Sequence, residues 1–196
     1  MKILRPLLIL SVSTAYLLTA KTESEILIAG EGGVFRTAIN IESGALTSPE
    51  IAHEFGSGSW LVWHPSLPIV YSSWREGKTN GVIALSMTES GKLEELAKIE
   101  LPFSTPAHIA LSPDGKYLAT AHYGCAATTL IELNPQGNFH DYKDTYQHNG
   151  SGPHRVQTQS RPHWAGFTPD GKMLHVTDLG SDEIWTLAVN QQNSEL

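Results

Sequence analysis

Short apolar runs, rich in β-branched and aromatic residues, follow one another from Ile26 to the end of the chain. Trp60 to Trp63, Ile69 to Ser72 and Gly81 to Ser86 form one group. His108 to Leu111, Tyr117 to Ala121 and Thr128 to Leu133 form a second, and Trp164 to Phe167, Met173 to Thr177 and Glu183 to Val189 a third. Runs of this length and composition predict β-strands. None keeps a 3.6-residue apolar period long enough to predict a helical solenoid. Between the first and second run of each group lies a turn. Ser112-Pro113-Asp114-Gly115-Lys116 and Thr168-Pro169-Asp170-Gly171-Lys172 are close copies, and His64-Pro65-Ser66-Leu67-Pro68 is a worn third. Proline presets φ and glycine accepts positive φ, so Pro-Asp-Gly between apolar runs is a turn with a physical cause.

The copies recur at roughly fifty residues, and four antiparallel strands per repeat of that size is the pattern of one propeller blade. The expected fold is therefore all-β: a β-propeller of four-stranded antiparallel blades, with about three and a half blades present. The blades are expected at about 25–56, 57–102, 103–158 and 159–196. The first, with strands at Ile26–Ala29, Val34–Ile41 and about Ile51–Phe55, lacks its innermost strand. The last stops after its third. Three and a half blades leave sheet faces and strand edges in water. Missing C-terminal blades, or a second chain, are expected to close the ring, with this chain the N-terminal part of a longer protein.

Composition and the N-terminus narrow the setting. Met1-Lys2-Ile3-Leu4-Arg5 is a basic start, Pro6 to Leu18 is apolar, and Thr19-Ala20 leads into polar sequence. That layout predicts a signal peptide over 1–20, an exported and periplasmic protein, and no stable membrane span after cleavage. The propeller domain then covers 21–196. With 13 basic and 20 acidic residues the net charge is −7, which argues against a nucleic-acid partner. The single cysteine, Cys125, excludes an intrachain disulfide and a cysteine-rich zinc site. No histidine spacing of the HExxH kind occurs, so no metal is expected, and no other cofactor.

Propeller topology places several segments at one mouth, opposite the Pro-Asp-Gly turns. They are the starts of inner strands at Pro106-Ala107-His108 and Arg161-Pro162-His163-Trp164, and the loops at 73–76, 122–125 and 178–182. The connector 149–157, with His154, Arg155 and Gln157, reaches the same mouth. Cationic and imidazole groups converging at the end of a channel predict a small-molecule site. Alignment on the turns sets His108 level with Trp164, so His108 and His163 point to opposite strand faces. Asp178-Leu179-Gly180 is expected to be a turn former.

These residues carry a resemblance. His148-Asn149-Gly150-Ser151-Gly152-Pro153, Arg155, Gln157, Pro162-His163, Pro169-Asp170-Gly171-Lys172 and Asp178-Leu179-Gly180 resemble the seven-bladed propeller lactonase family, which includes propeller-type 6-phosphogluconolactonases and fungal 3-carboxy-cis,cis-muconate lactonizing enzymes. The resemblance runs from about Ile26 to the end. It implies seven blades in the whole protein, and hydrolysis or cycloisomerisation of a sugar or carboxylate lactone. Two features depart from the family pattern: Val156 separates Arg155 from Gln157, and Arg161 stands where the first of two histidines is expected. The roles that follow are His163 as general acid or base, Arg155 with Arg161 as anion binders, and His122, His108, His154 and Gln157 as further substrate contacts. A non-catalytic exported binding propeller, using its tryptophans, and an inactive truncated fragment are the alternatives. Export favours a lactone other than the cytosolic phosphosugar.

Overall fold

The computed structural model describes residues 22–196; the leader expected over 1–20 lies outside the described residues. Thirteen strands and no helix make up the described residues. The first two are β1 (Glu23–Asn40) and β2 (Glu50–Ser57). Four more form the next group: β3 (Leu61–Trp63), β4 (Ile69–Glu76), β5 (Thr79–Met87) and β6 (Leu93–Glu100). Then come β7 (His108–Leu111), β8 (Tyr117–His122), β9 (Ala127–Leu133) and β10 (Phe139–Gln147), followed by β11 (Pro162–Phe167), β12 (Met173–Asp178) and β13 (Glu183–Ala188). All ladders are antiparallel. The orders are β3-β4-β5-β6, β7-β8-β9-β10 and β11-β12-β13, with β1-β2 joined to the first of these through the pair Ser57 and Arg75. The chain is a partial β-propeller.

The stretches expected as strands at Ile26–Ala29 and Val34–Ile41 fall within one continuous element, β1. A straight 18-residue strand would span about 60 Å. Yet the Ile41 N–H donates to the Thr22 carbonyl at 2.8 Å, and Arg36 pairs with Glu25 at 3.5 Å. β1 doubles back on itself at Gly32 and Gly33, whose φ values of 93° and 129° are open only to glycine without strain.

Alternation along the middle strands explains how the blades stack. In β4, Ile69 and Tyr71 enter a core with Ile109, Leu118 and Ile131 of the next blade. Val70 and Trp74, on the other face, enter a core with Val34 and Phe55 of the preceding one. β8 repeats the division: Leu118 faces one neighbour, while Tyr117, Ala119 and Ala121 face Ala165, Leu174 and Val176 on the other side. Successive side chains of a strand point to opposite faces, and here each face meets a sheet. Every residue of β8 is therefore buried. The outermost strand β6, Leu-Glu-Glu-Leu-Ala-Lys-Ile-Glu, is mostly exposed and carries charges that discourage edge pairing.

The two Pro-Asp-Gly turns are built alike. The Asp114 carboxylate accepts from Ser112 Oγ (2.7 Å) and the Lys116 N–H (3.2 Å). Asp170 accepts from Thr168 Oγ1 (2.6 Å) and the Lys172 N–H (3.1 Å). Gly115 and Gly171 take φ of 71° and 69°. These hairpins fix the register of β7 on β8 and of β11 on β12, and so the height of the inner strands at the opposite end.

Candidate active site at the propeller mouth

The inner strands β3, β7 and β11 lie side by side. Trp60, His108 and Trp164 each stand five residues before their turn proline, and the structure brings them into one row. The His108 ring lies 4.2 Å from Trp60 and 5.6 Å from Trp164, centroid to centroid. His108 is buried, and its Nδ1 accepts the Ala165 N–H at 3.4 Å. Burial, with a smaller contribution from the positive charge of nearby His163, lowers its pKa to about 4. A neutral ring tied to the next blade joins the inner strands together.

His163 is exposed, one residue before Trp164 on β11. Its ring meets Tyr123 edge-on at 5.7 Å, and the Arg161 guanidinium lies 4.9 Å from the same tyrosine ring. Tyr123, from the turn between β8 and β9, thus holds the imidazole and the cation in one cluster. The hollow beside His163 is walled by Asp182, Glu183 and the Asp178-Leu179 turn. Asp182 closes that turn at φ 60°, in the left-handed region that aspartate tolerates better than most residues. The imidazole therefore shares Tyr123 with one cation, and three acidic residues, Asp178, Asp182 and Glu183, line the hollow beside it.

The connector residues separate into different roles. Gln157 is committed: its amide Nε2 donates to the Leu179 carbonyl (2.8 Å) and to Asp182 Oδ1, and its Oε1 accepts the His154 N–H (2.8 Å). It staples the connector to the mouth turn. His154 is exposed, with Nδ1 accepting the Val156 N–H at 3.5 Å. Arg155 is exposed and is not among the residues walling the hollow beside His163.

His122 corrects an expectation. It is fully buried, donates through Nδ1 to the Ser104 carbonyl (2.5 Å), and accepts through Nε2 from Thr120 Oγ1 (2.7 Å). Burial lowers its pKa to about 4, against the opposing effect of the Ser104 bond. Both ring nitrogens are used, so no contact is left for a substrate. Asp178 is the turn former expected: its Oδ1 accepts from the N–H groups of Arg161 (2.6 Å), Gly180 (2.8 Å) and Ser181 (3.1 Å). Burial raises its pKa, but these donors and the Ser160 hydroxyl beside it outweigh that, and the net shift is downward.

Sequence reasoning did not single out Tyr123, Asp182 or Glu183. The signal that was present is positional, since Tyr123 and Leu179 occupy the same place in two copies of the repeat.

A partial ring of four-stranded blades with a polar mouth places the protein among the β-propellers. Residues 16–196 match the family model "Lactonase, 7-bladed beta-propeller", and the chain belongs to that family. It is 26% identical over 158 residues to the 6-phosphogluconolactonase of Bacillus subtilis, covering 80% of this chain and 45% of that protein. It is 32% identical over 157 residues to an uncharacterised protein of Staphylococcus epidermidis, with 79% and 45% covered. A solved structure from Bacteroides fragilis is 27% identical with a TM-score of 0.79, covering 91% of this chain and 52% of that one. The periplasmic gluconolactonase PpgL of Pseudomonas aeruginosa, 18% identical over 85% of this chain and 50% of its own, shares the fold with a TM-score of 0.78. The chain spans about half the length of these relatives.

Proposed function

We propose that this chain carries part of the active site of an exported lactonase, completed to a closed ring by further blades. The observation that carries the reading is the cluster of His163, Arg161 and Tyr123 beside Asp182 at the mouth of a lactonase-family propeller. In the reaction, His163 takes a proton from water as the water oxygen attacks the lactone carbonyl. The ring C–O bond then breaks, and the imidazolium returns the proton to the leaving alkoxide, giving the open hydroxy acid. Arg161, with Arg155 from the connector, binds a carboxylate or phosphate on the substrate. Cycloisomerisation of a carboxylate lactone would use the same groups without net water. The B. subtilis relative is named for a phosphosugar lactone and the P. aeruginosa neighbour for a periplasmic gluconolactone. Export favours an unphosphorylated sugar lactone or a carboxylate lactone.

The test is turnover of sugar lactones by the full-length protein. His163→Ala should lower kcat by roughly 10²–10⁴-fold while the fold is retained. Unchanged turnover in that folded variant removes His163 from the chemistry. A full-length protein that binds but turns over no lactone supports the binding-propeller reading instead.

A further inference from the structure

Two features of β11 set the placement of its exposed aromatic residue, Trp164. The first is a bulge at the start of the strand. Pro162 pairs with Asp178 and Trp164 with Thr177, so two steps along β11 match one along β12, and His163 is the extra residue. An extra residue breaks the strict alternation of side chains and re-aims them. The second feature is Gly166. It is not among the glycines with positive φ, so the backbone there does not require it. A Cβ at Gly166 would lie 2.1 Å from Trp164 Cη2 and 2.5 Å from Cζ2. Glycine inside a strand often marks such a close approach. The indole lies down along its own strand, over the space that a side chain at 166 would fill. The corresponding residues, three before the turn proline, are Val62 in the second blade and Ala110 in the third, and neither leaves that space.

The indole held in this way is 42% exposed, whereas Ala165 beside it is fully buried against the third blade. The His108 ring backs it at 5.6 Å between centroids, and Trp60 lies on His108 at 4.2 Å. The surroundings are polar. His163 is its chain neighbour, with Cα atoms about 3.8 Å apart. His163 and Arg161 share Tyr123, and the carboxylates of Asp182 and Glu183 line the adjoining hollow. An aromatic wall with a few converging polar groups is the usual lining of a small-molecule site. The face of an indole is electron-rich and attracts the weakly positive C–H hydrogens of a saturated ring. Hydroxyl groups at the edge of such a ring donate to carboxylates and accept from a guanidinium.

We propose that Trp164, laid flat over Gly166, is the platform on which a saturated, hydroxylated lactone ring stacks, with its carbonyl beside His163. The choice of ligand rests on the lactonase reading; the placement of the indole does not. Trp164 binds the ring and sets which of its faces is presented, and His163 performs the proton transfer. Gly166 is a positioning residue that acts through the indole. The platform also separates substrate from product. Hydrolysis opens the ring, and the flexible hydroxy acid no longer offers a rigid face to the indole, so its release is favoured.

The test is calorimetric binding of glucono-δ-lactam to the full-length protein, alongside KM for glucono-δ-lactone. The lactam keeps the ring and its hydroxyls, but its amide resists hydrolysis. The expected result is binding that weakens several-fold in Trp164→Leu and in Gly166→Ala, where the added methyl displaces the indole. Trp164→Phe, which keeps an aromatic face, should stay close to the parent, and His163→Ala should still bind the lactam. Unchanged affinity in both Trp164→Leu and Gly166→Ala, or no binding by the parent protein, would overturn the proposal. Loss of folding in Trp164→Leu with unchanged affinity in Gly166→Ala would assign the indole to blade packing and overturn it too. Lactam binding that depends on Trp164, in a protein that turns over no lactone, would uphold the platform while removing the lactonase reading.

Discussion

His64 stands in for the aspartate that its own turn lacks, and in doing so reaches Gly115 of the next blade. Its Nδ1 accepts the N–H groups of Ser66 (3.2 Å) and Leu67 (3.1 Å), as Asp114 and Asp170 accept N–H groups in theirs. With Nδ1 an acceptor, Nε2 carries the proton and donates to the Gly115 carbonyl at 3.3 Å. The worn copy of the turn is therefore functional as a turn, and it also links two blades.

Gly115→Ala and Gly171→Ala should differ although both glycines hold the same turn position. A Cβ at Gly115 would lie 2.5 Å from His64 Nε2, whereas at Gly171 the nearest atom is Gln191 Nε2 at 3.3 Å, the end of a flexible side chain. Both variants meet the left-handed backbone cost of about 1–2 kcal/mol. Gly115→Ala adds displacement of a buried ring, for a total loss of about 2–4 kcal/mol. Urea denaturation of the pair measures the difference, and equal losses would mean that the His64 ring yields freely.

Asp178→Ala should destabilise by about 2–4 kcal/mol, because the N–H groups of Arg161, Gly180 and Ser181 lose a charged acceptor in a buried place. Asp178→Asn keeps an oxygen for those donors and should lose less. Thermal unfolding of the two variants, compared at one pH, reads out the ranking.

Stability should fall as the solution is acidified from about pH 6.5 towards 4. Burial lowers the folded-state pKa of His108, His122 and His148 to about 4 each, while the unfolded chain binds protons near 6.5. In that window the unfolded state holds more protons, so unfolding gains as pH drops, and the stabilisation is complete only above the unfolded value. Each ring contributes at most about 3 kcal/mol. The depressed carboxylate of Asp178 loses its contribution in a separate, lower window, as pH falls below its ordinary value. Urea midpoints at pH 7, 6 and 5 should decrease in order; a flat series would show that the rings are solvated in the native state.

Tyr123→Ala should act on substrate affinity more than on folding. The ring, itself half-buried, supports both the Arg161 guanidinium and the His163 imidazole. Losing one half-buried cation–π contact costs stability by about 1 kcal/mol. If Arg161 binds the substrate anion, KM for an anionic lactone should rise several-fold while a neutral lactone is less affected. Equal changes for both substrates would place the effect on His163 alone.

The repeat was legible because its physics is local. Pro113-Asp114-Gly115 and Pro169-Asp170-Gly171 need only their own backbone to make a turn, and the flanking runs alternate between two buried faces. The mouth was legible as a region for the same reason, since topology carries each strand end there. Individual roles were not, because they depend on what a side chain meets across a blade boundary. His122 and Asp178 are the ninth residue after their prolines, and both tie down the segment that leads into their own inner strand. Taken as a histidine, His122 suggested chemistry; taken as the counterpart of Asp178, it is a strut. Gln157 belongs to the same class, its amide spent on Leu179 and Asp182.

The two-sided burial of β4, β5, β8 and β9 bears on motion as well as stability. A blade whose middle strands serve two cores cannot open without stripping both neighbours of their packing. Amide hydrogens in these strands should therefore exchange with solvent slowly and at a common rate, set by a concerted opening of several blades. Outer strands such as β6 can fray one at a time. The slow, shared core, with the hydrogen bonds that Asp178 and Gln157 make to the mouth turn, holds the inner strand ends at a fixed height.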